Sequence, residues 1–123
     1  MILHSEKFKD IRIAVVGDVV LDKYVSGIAR RISSEAAIPV LLAQRIGHVA
    51  GGAANVAANL SGIGCSVSVY GAVGDDGNSV LLSELLDEKK IEHKLQQING
   101  RPTTIKTRIV AGNQQIARYD IEE

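Results

Sequence analysis

The chain has 123 residues, enough for one domain or part of one, and 46% are hydrophobic, enough for a real core. Lys+Arg and Asp+Glu number 14 each, so the formal net charge is zero; this argues against a general nucleic-acid or membrane-surface binder and leaves room only for a local basic patch. With one cysteine, Cys65, an internal disulfide is excluded and a reducing, cytoplasmic compartment is expected, the thiol reading as a small core residue in an apolar stretch.

Met1 to Asp10 carries charges and no apolar stretch of the signal-peptide kind. No apolar run approaches the ~20 residues that cross a bilayer as a helix. Ile11 to Val16 is rich in β-branched residues and lacks a polar face. It is therefore predicted to be a strand buried on both sides, as in a parallel sheet. It ends at Gly17-Asp18, and Asp18 and Asp22 are expected just beyond its carboxyl end, where open α/β sheets bind ligands. Asp22 reads either as an acceptor for sugar hydroxyls or as an ordinary turn carboxylate. A dinucleotide site would need G-x-G-x-x-G here, and only Gly17 is present, which disfavours a nicotinamide-dependent dehydrogenase.

Tyr24 to Ala29 and Ile38 to Ala43 are short strand candidates separated by Arg30-Arg31 and the polar Ser33-Ser34-Glu35. Pro39 is tolerable at a strand start or edge. Neither segment is followed by a helix, so they are predicted to form an antiparallel flap outside the main sheet. Arg30 and Arg31 read as a solvated loop pair or as an anion contact.

Gly51-Gly52-Ala53-Ala54-Asn55 is the stretch around which the rest is organised. Adjacent glycines let a backbone adopt conformations that a Cβ forbids and let a ligand approach closely. Val56 to Leu60 reads as helix, so the pair sits at a helix start, where unpaired N–H groups and the positive dipole end face outward. Asn55 adds a side chain that both donates and accepts. Such a site suits a hydroxyl-rich or anionic ligand; the alternative is a helix terminus packed tightly on a sheet.

That helix is predicted over Gly52 to Gly62, with Ala53, Ala54, Val56, Ala57, Leu60 and Ile63 as its apolar stripe. Val67 to Val73 reads as a buried strand. Asp75-Asp76-Gly77-Asn78-Ser79 supplies capping chemistry for a helix carrying Val80, Leu81, Leu82, Leu85 and Leu86. Glu92 to Ile98 is a further strand, so the middle of the chain reads as strand–helix–strand–helix–strand, a parallel α/β sheet with right-handed crossovers. Thr103 to Ala111 alternates, Gly112-Asn113 is a hairpin turn, and Gln114 to Ile121 is the return strand. Lys106 and Arg108 share one face, as a solvated polar pair or as a phosphate clamp.

Taken together, Ala50-Gly51-Gly52-Ala53-Ala54-Asn55-Val56-Ala57, with Gly64 and Gly74 downstream, resembles the first signature of the ribokinase-like (PfkB) carbohydrate kinases. Val15 to Asp22 resembles that family's first strand and sugar-binding aspartate. Gly17 to Tyr24, Arg31 to Val40 and Asn113-Gln114-Gln115 are similar to the bacterial heptose-7-phosphate kinase branch, which serves ADP-heptose and lipopolysaccharide synthesis. The resemblance implies an α/β fold, a mostly parallel sheet with flanking helices and a small antiparallel lid with strands near 23–30 and 38–48. It implies a sugar pocket in which Asp22 holds hydroxyls while Gly51, Gly52 and Asn55 close around them, with Lys106 and Arg108 toward a substrate phosphate. It further implies ATP with Mg2+, a sugar-phosphate substrate and a homodimer through the lid strands, without nucleic acid or membrane as partner.

The family's second signature, D-T-x-G-A-G-D, which supplies the catalytic base and an anion hole, does not occur in these residues, nor does a P-loop. The chain stops at Asp120-Ile121-Glu122-Glu123, directly after a strand. It is therefore expected to be the N-terminal, sugar-binding part (1–123) of one kinase domain, with no catalytic base of its own. A non-catalytic sugar-binding or dimerisation module, or a kinase of another sugar or nucleoside, remains the alternative.

Overall fold

The computed structural model describes residues 5–123; the reading of Met1 to Asp10 falls in part on residues 1–4, outside the described residues. After a 3-10 turn at Ser5–Phe8 come β1 (Arg12–Val16), β2 (Val19–Ile32), β3 (Pro39–Gly52), α1 (Ala53–Gly62), β4 (Ser66–Gly74), α2 (Gly77–Glu88), β5 (Glu92–Ile98), β6 (Ile105–Ala111) and β7 (Gln114–Ile121). They build two sheets, a three-stranded one in the order β1-β4-β5 and a four-stranded one in the order β3-β2-β6-β7.

The three-stranded sheet is parallel throughout, as the strand–helix alternation predicts. Successive strands step in one direction, so right-handed crossovers put α1 and α2 on the same face. Beneath them Val67, Val69 and Val73 are buried against Ala54, Ala57, Leu82 and Leu86. The small α1 residues let that helix lie close; Val56, assigned to the stripe from its spacing, faces solvent instead. The expectation that β1 is buried on both sides is corrected. Its residues alternate between exposed and half-buried, and Val16 is 78% exposed, because among the described residues no layer covers the second face. No helix among the described residues is long and apolar enough to cross a membrane.

The antiparallel flap exists and is longer than its apolar runs suggest. β2 and β3 pair along nearly their whole lengths, interrupted by register shifts at Ser26/Gly27 and Ala29/Arg31. Pro39 opens β3, where its missing donor matters least. The carboxyl-terminal hairpin also belongs to this sheet: β6 runs parallel to β2 and antiparallel to β7. Only Gly17 and Asp18 separate β1 from β2, so Asp22 is not in a loop beyond β1 but inside β2.

The two sheets share one core. Val19, Leu21, Ala50 and Ile105 of the larger sheet pack into the cluster formed by the helices and β4. A polar joint reinforces it. Asp76 caps α2 by accepting from the Ser79 amide at 2.9 Å, and accepts from the Thr103 amide at 2.8 Å and the Thr103 hydroxyl at 2.7 Å. The Gly74 amide in turn donates to the Thr103 hydroxyl at 3.0 Å. One carboxylate thus ties the end of β4, the start of α2 and the entry to β6. Burial works to raise the pKa of Asp76, but the bonds from the Thr103 amide and hydroxyl and from the Ser79 and Asn78 amides outweigh it and hold the group below its ordinary 3.8.

Candidate functional site

Side chains alternate across a strand, so Val20, Asp22 and Tyr24 project from one face of the four-stranded sheet. The register places Val20 beside Gly51, Asp22 beside Val49 and Lys106, and Tyr24 beside Arg108. The opposite face, carrying Leu21, Ile105 and Thr107, is turned into the core. One face therefore stabilises the fold, and the other gathers the charged groups singled out from the sequence.

Gly51 and Gly52 end β3 and lead directly into α1. A Cβ on Gly51 would overlap the Oδ2 of Asp22, so glycine here is what admits the carboxylate against the backbone. Gly52 is the residue before the helix, at φ +58°, and a Cβ there would overlap the Asp18 carbonyl. That carbonyl accepts from the Ala53 amide at 2.8 Å. No side chain caps α1 and no acidic residue lies in its first turn. Asn55 is exposed on that first turn.

The sequence pairs Lys106 with Arg108, and the structure separates their surroundings. Arg108 donates from Nη1 to Asp22 Oδ1 at 2.6 Å, with the two side chains only 23% and 18% exposed. Its guanidinium carbon lies 5.3 Å from the centre of the Tyr24 ring, within cation–π range. The Asp22 hydrogen bond raises the Arg108 pKa above its ordinary value; burial opposes this, while the charge of Asp22 and the fields of Tyr24 and Asp120 add to it. Lys106 instead borders a hollow of about 200 Å³ with Asp18, Val20, Arg101, Thr104, Glu122 and Glu123. Among the described residues it makes no ion pair within 4.0 Å. Asp22, Gly51, Gly52 and Asn55 are thus brought to one end of the sheet, with Lys106 and Arg108 on the neighbouring strand.

Sequence reading missed Tyr24 as the platform for Arg108 and Thr103 as the partner of Asp76. Tyr24 was accessible in principle, since it lies two residues after Asp22 on the same face. Cys65 is buried, as its apolar surroundings predict. Among the described residues no group of three or more His, Cys, Asp or Glu side chains is placed to hold a metal ion.

A helix-backed parallel sheet, a long antiparallel flap and a carboxylate held against paired glycines at a helix start define a ribokinase-like α/β protein. The chain belongs to the pfkB family of carbohydrate kinases, which it matches over residues 10–121. It is 41% identical over 123 residues to the bifunctional protein HldE of Actinobacillus pleuropneumoniae, covering 100% of this chain and 26% of that one. To the bifunctional protein HldE of Coxiella burnetii (strain RSA 331 / Henzerling II) it is 45% identical over 116 residues, covering 94% and 24%. The chain spans about a quarter of the length of the curated relatives it matches. Among solved structures, a carbohydrate kinase from Agrobacterium tumefaciens superposes with a TM-score of 0.73 at 21% identity, over 89% of this chain and 35% of that one. The Arabidopsis thaliana ribokinase complexed with ribose and ATP superposes with a TM-score of 0.70 at 23% identity, over 90% and 35%.

Proposed function

We propose that the chain is the N-terminal, sugar-binding part of one ribokinase-like kinase domain, which transfers a phosphoryl group from ATP to a sugar hydroxyl. The observation that carries this reading is the Asp22 carboxylate packed against Gly51 at the uncapped start of α1. A carboxylate accepts hydrogen bonds from vicinal hydroxyls, helix amides and Asn55 supply donors, and the glycines let the ring approach the backbone. Lys106, on the same face, carries a positive charge that suits a phosphorylated sugar.

The substrate we favour is D-glycero-β-D-manno-heptose 7-phosphate, phosphorylated to the 1,7-bisphosphate on the way to ADP-heptose and the lipopolysaccharide core. Support comes from the resemblance of Gly17 to Tyr24 and Arg31 to Val40 to heptose-7-phosphate kinases and from the HldE relatives. ATP with Mg2+ is the phosphoryl donor in this reading, and these residues are assigned no Mg2+ ligand. Cytoplasmic location fits the substrate and the unpaired Cys65.

The base that takes the proton from the accepting hydroxyl is assigned to residues outside this sequence, because Asp22 is engaged by Arg108 and no D-T-x-G-A-G-D is present. A general base contributes ~10²–10⁴-fold and each oxyanion donor ~10²–10³-fold. The 123 residues alone are therefore expected to consume ATP with the heptose phosphate at less than a tenth of the full-length rate, a ratio set well inside the handicap these factors impose. Coupled measurement of ADP release across sugar phosphates, sugars and nucleosides tests both points. No turnover by the full-length protein with any of them sinks the kinase reading.

A second reading, a dimerisation module, has its own observation. β3 and β7 are the open edges of the four-stranded sheet, and β3 exposes Leu42, Ile46 and Val49. We infer a homodimer through these lid strands. Sedimentation across a concentration series checks it, and a strict monomer at all concentrations overturns it.

A further inference from the structure

We propose that Arg108 is a positioning residue for Asp22 rather than a ligand of the substrate's phosphate, so that Lys106 alone of the pair meets the phosphate. The inference rests on the sugar-kinase reading above.

Three observations lead to it. First, Arg108 Nη1 stands 2.6 Å from Asp22 Oδ1, a charge-assisted contact between largely buried partners. Second, the guanidinium lies over Tyr24, so its plane as well as its end is held. Third, Gly51 leaves the Asp22 Oδ2 lying directly against backbone. One carboxylate oxygen is thus held by Arg108, and the other lies where only a glycine at position 51 leaves it room. A carboxylate on a free rotamer would spend binding energy on being ordered; this one is ordered beforehand. Lys106, two residues away on the same face, has no ion-pair partner within 4.0 Å among the described residues and borders the hollow with Arg101, though Asp18, Glu122 and Glu123 line it as well.

The test uses the full-length kinase carrying this sequence, with heptose 7-phosphate and unphosphorylated heptose as paired probes. R108M is expected to raise KM for both sugars by a similar factor, roughly tenfold to a hundredfold from the loss of one charge-assisted bond, with KM for ATP unchanged. In a D22N background R108M adds nothing, because its effect runs through Asp22. K106M raises KM for the phosphorylated sugar by a larger factor than for the unphosphorylated one. R108K, which keeps the charge and the stem, restores part of the sugar affinity and serves if R108M fails to fold. The inference is overturned if R108M or R108K selectively weakens the phosphorylated sugar, or if R108M and D22N add independently. Failure of the underlying reading is separate: it shows as no turnover in the wild type, or as a D22N enzyme with unaltered sugar KM.

Discussion

In the three-stranded sheet β4 reaches β5 through the single helix α2, β1 reaches β4 through β2, β3 and α1, and Val67, Val69 and Val73 line the buried side. In the four-stranded sheet β2 pairs with β6, and the ion pair across them joins residues 86 positions apart. The first region, with its two helices, supplies most of the core. The second is built from distant segments and carries Asp22, Lys106 and Arg108 on its open face. The candidate site is therefore separable from the core: the sheet that carries it turns one apolar face inward and keeps its charged groups on the other. Thr103 and Asp76 are where the two regions are fastened.

That separation is open to attack at graded cost. The largest loss is expected from Leu82→Ala, at the fully buried centre of α2. Truncation leaves a cavity beneath β4 worth about 2–5 kcal/mol of global stability, read from the denaturant midpoint. A loss under ~1 kcal/mol would mean that the helix layer is not where stability resides.

Asp76→Ala comes next. It removes the α2 cap together with both bonds from Thr103, and about 2 kcal/mol is expected, with the two sheets uncoupled at their joint. Its pH dependence has a definite sign. Because the folded pKa is depressed below 3.8, the contribution is fully present above that value and is lost as pH falls below it. The wild type should destabilise more steeply than Asp76→Ala below pH 3.8, and parallel acid-denaturation curves would refute the joint.

Gly51→Ala sharpens the comparison from the other side. The new Cβ displaces the Asp22 carboxylate, so sugar affinity should fall roughly tenfold, about 1.4 kcal/mol. The core is untouched, so the unfolding midpoint should move much less than for Leu82→Ala. An unfolding loss as large as that of Leu82→Ala would show that site and core are one unit.

The smallest effect is expected from Arg118→Ala. Its bond to Asp120 at 3.0 Å lies on the outer strand β7, with the Arg118 side chain 48% exposed. A stability change within about 0.5 kcal/mol is expected by thermal melt, since such pairs contribute little in water.

Much of the first region was legible because its signals are local. β-branched runs at Ile11–Val16 and Val67–Val73, the helical spacing of Leu82 and Leu86, and the capping Asp76 each report on their own neighbourhood. The flap was legible as a pair of helix-less strands, and Gly51-Gly52 as a helix start. The strand limits were not: β2 and β3 run through polar stretches such as Ser26–Arg31, where pairing with a neighbour rather than apolar content maintains the strand. Asp22 was misplaced for the same reason, since its two-residue approach from β1 looks like a loop until β3 and β6 close on both sides.

By itself the sequence determined which segments become strands and helices, the glycine pair that starts α1, and the single face shared by Lys106 and Arg108. Those follow from steric limits on the backbone and from side-chain periodicity, which act over a few residues. Only the tertiary structure decided that β1 keeps one open face, that the carboxyl-terminal hairpin joins the flap, and that Arg108 reaches Asp22 while Lys106 does not. Register between segments so far apart is set by how Leu21, Ile105 and Thr107 pack into the common core, and no local pattern encodes that choice.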